Sequence, residues 1–331
     1  MFRAWRLACV AVILAACGYG NLVSAQSSLA SYPVKPIRLV IPWPAGGPTD
    51  VIGRVFAEPL AKVLGQPIVV DNRGGASGAI GADHVAKAAP DGYTLMVQSM
   101  TNQAMFPATV KTLRFDPIAD FEPITQITTS PMIVVAHASL QVTNIAELVS
   151  LAKAKPGAIT MASFGQGSAS HLAIELLMKL GSIKLNHVPY KGGAPAAADL
   201  AAGHVQVGIV GIPVALPFIK QGRLRALALT TGKRAPQLPD TPTVSETSGL
   251  ESYNLGLEYG FLAPAKTPGP IVQRLHAAAV GVLRSPEFAQ RMFELGLSAP
   301  IGNSPAEMAA AARREIEMLG ALARAAGIEP E

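Results

Sequence analysis

Cysteine is almost absent from this chain of 331 residues, whose only two cysteines are Cys9 and Cys17. Both lie in a segment near the N-terminus that has the features of an export signal. Once that segment is removed, an intramolecular disulfide, thiolate catalysis and cysteine-bound metal are all excluded. The fold must therefore be held by packing alone, which a chain of this length can achieve with two separate cores.

Charge is also sparse, since Asp, Glu, Lys and Arg make up only 15% of the residues and the formal net charge is +5. No basic run is present, and we therefore expect no nucleic-acid partner. The slight excess of positive charge either attracts an anionic solute or is ordinary surface charge. The six histidines have no close metal-ligand spacing, so we expect no metal site.

The N-terminus reads as a targeting segment. The basic start Met1–Arg6 precedes the apolar run Leu7–Ala16, which is too short to span a bilayer comfortably, and small residues follow at Val23–Ala25. This order predicts a signal peptide over residues 1–25 and a periplasmic location. An alternative is a lipobox in which Cys17 is acylated, which would tether the protein to a membrane without changing its fold.

Beyond this segment, apolar runs of strand length alternate with longer amphipathic stretches. The first series predicts strands at 37–41, 68–70 and 94–97 and helices at 50–64 and 79–88. A second series predicts helices at 145–154, 169–180 and 195–202 and strands at 159–161, 187–188, 205–210 and 224–229. This order favours an α/β protein with mostly parallel sheets and flanking helices.

The two series suggest two lobes. The alternation of predicted strands and helices is interrupted between residues 121 and 135. The tail after residue 249 has too few predicted strands for a third sheet. We therefore predict that the tail completes the first lobe and that the chain crosses between lobes twice. Lobe 1 would comprise residues 32–129 and 250–331, and lobe 2 residues 130–249.

Three glycine-rich loops, at 42–50, 71–78 and 163–171, each lie between a predicted strand and a predicted helix. Loops at the carboxyl ends of parallel strands line the ligand crevice of an open sheet. The free N–H groups at helix starts favour an anion, and glycine permits close backbone approach. A carboxylate could thus be held by backbone donors and by hydroxyls such as Thr49 and Ser168.

Several of these residues have a second interpretation. The glycines could serve only tight turns, with Thr49, Asp50 and Ser168 as helix caps. Asp50 is either such a cap or a partner for a ligand amine, and Trp43 either walls a pocket or packs beneath its loop. His171 stands out among the histidines because its loop faces the proposed crevice.

An enzymatic interpretation has little support. Ser168 and His171 could form a hydroxyl–imidazole pair of a hydrolase, but the nucleophile elbow Gly-x-Ser-x-Gly is missing and no third orienting residue is visible. Neither a Walker lysine nor Gly-x-Gly-x-x-Gly is present in the first two loops. We expect no catalytic residue and no cofactor.

Seven segments in order carry a family resemblance: 32–38, 44–50, 65–73, 88–95, 188–192, 222–228 and 241–244. Among them are Pro-Ala-Gly-Gly-x-x-Asp in the first loop and Val-Pro-Tyr-Lys-Gly around Tyr190. With these motifs the chain resembles the Bug (Bordetella uptake gene) family, the substrate-binding components of tripartite tricarboxylate transporters. The resemblance extends from about Tyr32 to the C-terminus.

The resemblance implies a type II periplasmic binding protein whose two lobes close on a small carboxylate such as a dicarboxylate or an acidic amino acid. We expect it to act as a monomer and not as an enzyme. It also implies delivery to a two-subunit membrane transporter, although a sensory role would use the same closed form. Backbone groups of the first loop and the 163–171 loop would grip the ligand. The candidate ligand-binding residues are Trp43, Pro44, Ala45, Gly46, Thr49, Asp50, Ser99, Thr101, Asn102, Ser163, Gly167, Ser168, Ala169, His171 and Tyr190.

Three positions depart from the family pattern. Arg73 meets Gly74 directly where a proline is usual, Gln206 stands where an Asp is common, and Glu258 stands where a Trp is common. The last two leave pocket shape, and therefore ligand identity, open.

Overall fold

A computed structural model describes residues 32–330. Its strands are β1 (Ile37–Ile41), β2 (Ile68–Asn72), β3 (Thr94–Ser99), β4 (Phe121–His137), β5 (Thr160–Ser163), β6 (Asn186–Pro189), β7 (Val207–Gly211), β8 (Leu224–Leu229) and β9 (Gly256–Pro264). Its helices are α1 (Pro48–Leu64), α2 (Ala79–Ala86), α3 (Met100–Thr109), α4 (Ile145–Ala154), α5 (Ala169–Gly181), α6 (Gly193–Ala202), α7 (Ile212–Lys220), α8 (Gly269–Leu283), α9 (Pro286–Glu294) and α10 (Pro305–Ala325). The predicted signal peptide lies outside the described residues.

The strands are ordered β2-β1-β3-β9-β4-β7-β5-β6, and β8 also pairs with β4. The pairs that β1 makes with β2 and β3, and that β5 makes with β6 and β7, are parallel. The antiparallel pairs all involve β4 or β9. The structure thus has two parallel strand sets, β1 to β3 and β5 to β7, which are joined through β4 and β9.

Strand β4 belongs to both strand sets. It pairs with β9 from Phe121 to Pro131, and from Met132 onward it pairs with β7. Pro131 stands at this change of partner, where its missing N–H removes a donor from the ladder. The segment where the predicted alternation of strands and helices breaks, between residues 121 and 135, is therefore one continuous strand.

The first strand and helix show how the sequence determines the core. Strand β1 is nearly all apolar because it is buried between β2 and β3, and only Arg38 is exposed. Helix α1 buries Ile52, Phe56 and Leu60, which share one face at a spacing of four residues. The Phe56 ring meets Phe261 of β9 edge to face at 5.3 Å. Burial of each such side chain contributes about 1.5–3 kcal/mol.

Two helices that the sequence did not predict are α3 and α7. Both contain an internal proline, Pro107 in α3 and Pro217 in α7. Helix α3 buries polar and apolar residues alike, and α7 is apolar almost throughout, so neither shows the amphipathic 3.6-residue period by which a helix is recognised. The C-terminal helices α8 and α10 pack against α1 and α3 respectively, and both also contact β4.

Candidate functional site

The three glycine-rich loops meet in the structure. The first connects β1 to α1, the second connects β2 to α2, and the third connects β5 to α5. The Ser77 hydroxyl of the second loop donates to the Gln166 carbonyl of the third at 2.6 Å. The rings of Trp43 and Phe164, from the first and third loops, meet edge to face at 6.5 Å. Loops from the two strand sets thus face each other across a cleft.

A small inner cavity lies between these loops. Its volume of about 10 Å³ is the room needed by a single water molecule. Its lining residues are Trp43, Pro44, Gly47, Pro48, Thr49, Ser99, Asn102, Phe164, Gly193, Leu257 and Tyr259. Of the sequence-predicted residues, Trp43, Pro44, Thr49, Ser99 and Asn102 line this cavity.

The N-terminus of α1 forms one wall of the inner cavity. Its N-cap, Gly47, offers no side-chain cap, and Pro48 occupies the first turn. The first intrahelical bond runs from the Val51 N–H to the Gly47 carbonyl. The N–H groups of Thr49 and Asp50 precede that bond and so have no partner within the helix. They and the positive end of the helix dipole provide a place for an anion.

Asp50 itself is buried and holds the first loop in shape. Its carboxylate accepts from the Gly46 N–H at 2.8 Å, from Arg54 Nε at 3.0 Å and from Asn72 Nδ2 at 2.8 Å. Asn72 Nδ2 also donates to the Trp43 carbonyl at 3.0 Å. Burial alone would raise the pKa of the Asp50 carboxyl, but these hydrogen bonds and the Arg54 charge lower that pKa below its ordinary value.

Helix α3 begins at the same cleft. The Ser99 hydroxyl caps it by accepting from the Asn102 N–H, and it also accepts from Asn102 Nδ2 at 2.7 Å. Asn102 Oδ1 then accepts from the Ala169 N–H at 2.9 Å. Asn102 therefore joins α3 to the N-terminus of α5 across the cleft. The Thr101 side chain contacts β9 instead, where its hydroxyl accepts from the Glu258 N–H.

The third loop is closed by its own hydrogen bonds. Ser168 is the N-cap of α5: its hydroxyl accepts from the His171 N–H and donates to the Gly165 carbonyl at 2.7 Å. The Gly167 N–H donates to His171 Nδ1 at 3.2 Å. Gly167 also has a left-handed φ of 68°, which favours glycine. Ser168 thus follows the helix-cap interpretation.

Beneath the loop, the His171 and His187 rings stack with centroids 4.2 Å apart and an interplanar angle of 9°. Ser163 Oγ lies 2.6 Å from His187 Nε2. Burial, reinforced by the neighbouring His171 and opposed by Glu175, lowers the pKa of His187 to about 4. The two stacked rings support the loop from behind.

The geometry at Ser168 and His171 does not resemble a catalytic pair. His171 Nδ1 is used by the Gly167 N–H, and Nε2 faces Glu175 Oε1 at 3.4 Å. Both side chains are buried, with exposed fractions of 0% for Ser168 and 5% for His171. The Ser168 hydroxyl is hydrogen-bonded as a helix cap and is buried, so it is poorly placed to attack a substrate.

A larger outer cavity of about 580 Å³ adjoins the inner one. Its lining residues are Trp43, Pro44, Gly74, Gly75, Ala76, Ser77, Phe164, Gly165, Gln166, Tyr190 and Lys191. Tyr190, predicted from the sequence, lies here, and its hydroxyl donates to Asp199 at 2.9 Å. Burial, with help from the Asp199 carboxylate, raises the pKa of Tyr190 to about 12.

Sequence reasoning missed several residues of the inner wall, of which Phe164, Leu257 and Tyr259 are the largest. Phe164 lies inside a loop that was predicted to face the cleft, so its apolar character was the available signal. Tyr259 pairs with Ser99 in the β3–β9 ladder. That register depends on a long-range return of the chain that no local pattern reveals.

The departures from the family pattern lie away from the inner cavity. Glu258 alternates with Leu257 and Tyr259 along β9, so its side chain points to the opposite face of the sheet. There it accepts from Gln126 Nε2 at 3.0 Å. Gln206 accepts from the Thr160 N–H and Arg73 pairs with Asp71 at 2.8 Å. None of these three lines the inner cavity.

Among residues 32–330, no group of His, Cys, Asp and Glu is arranged to hold a metal ion. Over the same residues, no helix is both long and apolar enough to cross a membrane.

Solved structures that resemble this fold include periplasmic binding proteins. The structure of the periplasmic binding protein BugD matches with a TM-score of 0.86 and 35% identity, over 91% of this chain and 100% of that one. A protein of R. palustris solved with adipate, Rpa4515, matches with a TM-score of 0.87 and 35% identity over 91% and 100% of the two chains. MatC from Rhodopseudomonas palustris, solved with bound malate, matches with a TM-score of 0.81 and 32% identity over 88% and 99%.

These likenesses define the class as a solute-binding protein with the α/β fold of periplasmic binding proteins. Residues 52–328 match the model of the tripartite tricarboxylate transporter family receptor. The chain belongs to that family, and the resemblance to Bug proteins drawn from the sequence motifs is confirmed.

Proposed function

We propose that this protein captures a small carboxylate in the cleft between its two strand sets and delivers it to a membrane transporter without transforming it. The observation that carries the proposal is the uncapped N-terminus of α1 in the wall of the inner cavity. Such a helix start is a ready anion site. The adipate and malate in the titles of two related structures support the same class of ligand.

The proposal includes two lobes that close on the ligand, residues 32–129 with 250–331 and residues 130–249. Support comes from β4, whose pairing changes at Pro131, and from the return of the chain to β9 at Gly256 opposite it. Two hydrogen bonds would hold the closed form. The Ala169 N–H donates to Asn102 Oδ1, and the Ser77 hydroxyl donates to the Gln166 carbonyl. Because the inner cavity has room for about one water, a carboxylate enters only as the lobes separate.

Export to the periplasm as a monomer through a signal peptide over residues 1–25 is the remaining part of the proposal. Lipidation of Cys17 is the alternative, and intact-mass measurement of the mature protein distinguishes the two. Binding without turnover is supported by the hydrogen bonds that occupy Ser168 and His171.

The proposal is tested by the melting temperature of the mature protein in the presence of a panel of small carboxylates. A ligand that binds only the native state at a hundred times its Kd stabilises by about 2.7 kcal/mol, which shifts melting by several degrees. We expect at least one carboxylate to produce such a shift and to be recovered unchanged. Consumption of an ester or amide with no carboxylate shift would refute the proposal.

A further inference from the structure

We infer that Gln98, which lines neither of the two cavities described above, is a positioning residue that holds the Trp43 indole in the wall between them and thereby sets the affinity of the cleft. The inference rests on the proposed function, because it concerns affinity for the ligand of that same site. Trp43, Pro44 and Phe164 line both cavities and so form the wall that the two cavities share. A shift of the Trp43 ring would therefore change the shape of both.

The side-chain amide of Gln98 is oriented by two donors. Its Oε1 accepts from Trp43 Nε1 at 3.2 Å and from the Ser99 N–H at 2.7 Å. Because both partners can only donate, the amide atom that they meet must be the oxygen. Ser99 lines the inner cavity as Trp43 does. One buried oxygen thus holds two residues of the inner wall, from the ends of β1 and β3, relative to each other.

The amide nitrogen of Gln98 shows that this arrangement has a cost. Within residues 32–330, Gln98 Nε2 has no hydrogen-bond partner, and the residue is 0% exposed. A buried donor without an acceptor destabilises the folded state. The preceding residues of β3, Met96 and Val97, are buried and apolar, and an apolar side chain at position 98 would avoid this cost. The bond to Trp43, and not stability, therefore accounts for an amide here.

The indole is enclosed on two further sides. Gly78 of the second glycine-rich loop has a left-handed φ of 103°, and a Cβ there would lie 3.2 Å from Gln98 Nε2 and 3.4 Å from Trp43 Nε1. A side chain at this position would press on the bond. From the opposite strand set, the Phe164 ring meets the Trp43 ring edge to face at 6.5 Å. The indole position is thus linked to the approach of the two strand sets.

Tryptophan fluorescence measures this ring directly, because the only other tryptophan of the chain, Trp5, lies in the predicted signal peptide. Gln98→Met keeps the length of the side chain and removes the acceptor. In the ligand-free mature protein we expect this variant to shift Trp43 emission to longer wavelength and to speed the decay of its fluorescence anisotropy. Affinity for the tightest binder of a carboxylate panel that includes malate and adipate should fall at least about tenfold, which corresponds to 1.4 kcal/mol.

Gln103→Met is the matched control. Gln103 is also buried, its Nε2 donates to the Pro117 carbonyl at 2.7 Å, and its Oε1 has no partner among the described residues. The control removes a buried amide that does not contact Trp43. It should lower the melting temperature and leave the emission, the anisotropy and the affinity unchanged.

Trp43→Phe completes a double-mutant cycle with Gln98→Met. Phenylalanine keeps a ring but has no N–H, so Gln98→Met added to Trp43→Phe should lower affinity much less than it does in the natural protein. Additive losses, natural emission in Gln98→Met, or natural affinity in that variant would each overturn the inference and leave the proposed function intact. If no carboxylate of any kind binds, the proposed function fails and the inference with it.

Discussion

Asp50 illustrates how far a single residue can be interpreted from sequence. Its place in a glycine-rich loop before a helix was predictable, and so were the two roles of cap and ligand partner. The structure shows a third arrangement, in which Asn72 at the end of the neighbouring strand and Arg54 one turn along α1 share its oxygens. The contact with Asn72 depends on the register of β1 against β2, which no local pattern contains.

Gly46 provides a prediction at the same scale. Its φ of 79° is left-handed, and a Cβ there would lie 3.6 Å from the Cβ of Ala194 on α6. The branched side chain in Gly46→Val would press on α6 and keep the two strand sets apart. We expect the affinity for the preferred carboxylate to fall at least about tenfold, together with a backbone penalty of about 1–2 kcal/mol. Titration calorimetry and thermal melting measure the two effects.

Gly65→Val is the matched control for this change. Gly65 ends α1 with a φ of 72°, and a Cβ there meets nothing within 4 Å. The control carries a similar backbone penalty far from the cleft, so it should lower the melting temperature and leave affinity unchanged. Equal losses of affinity in both variants would mean that Gly46 acts only through general stability.

At the scale of elements, the helix starts and loops were more predictable than the helices behind them. Glycine, serine and threonine at strand-to-helix junctions have local signatures, and they located all three loops of the cleft. Helix α3 has no such signature, because nearly all of its residues are buried. Yet α3 brings Ser99 and Asn102 to the cleft, and the sequence placed those two residues there only through the family resemblance.

The histidine layer beneath the third loop carries a pH prediction. The pKa of His187 is about 4 in the folded protein, against about 6.5 when unfolded. Above pH 6.5 the ring is neutral in both states and has no effect on stability. As pH falls from 6.5 to 4 the unfolded state takes up a proton that the folded state does not, so stability decreases. Melting temperature measured across this window should fall for the natural protein.

The variant His187→Gln isolates this contribution. Gln cannot titrate but can still reach the Ser163 hydroxyl, so the fall in melting temperature between pH 6.5 and 4 should become shallower. His204→Gln is the control, because the side chain of His204 is 69% exposed, and should retain the full slope. An unchanged slope in His187→Gln would mean that the ring is protonated in the folded protein at those pH values.

At the scale of the whole molecule, the class of protein followed from the alternation of strands and helices and from the family motifs. The contact between the two strand sets did not follow from these sequence patterns. Trp43 and Phe164 lie more than a hundred positions apart, and their contact depends on both crossings of the chain through β4 and β9. Glu258 shows the same limit, because only the structure reveals that it faces away from the inner cavity.

A crystal structure of the mature protein with its tightest-binding carboxylate tests the central claim most directly. We predict that a ligand carboxylate lies within hydrogen-bond distance of the Thr49 N–H at the start of α1, with Asp50 still bound to Gly46 and Arg54. A ligand bound outside the cleft would contradict the account.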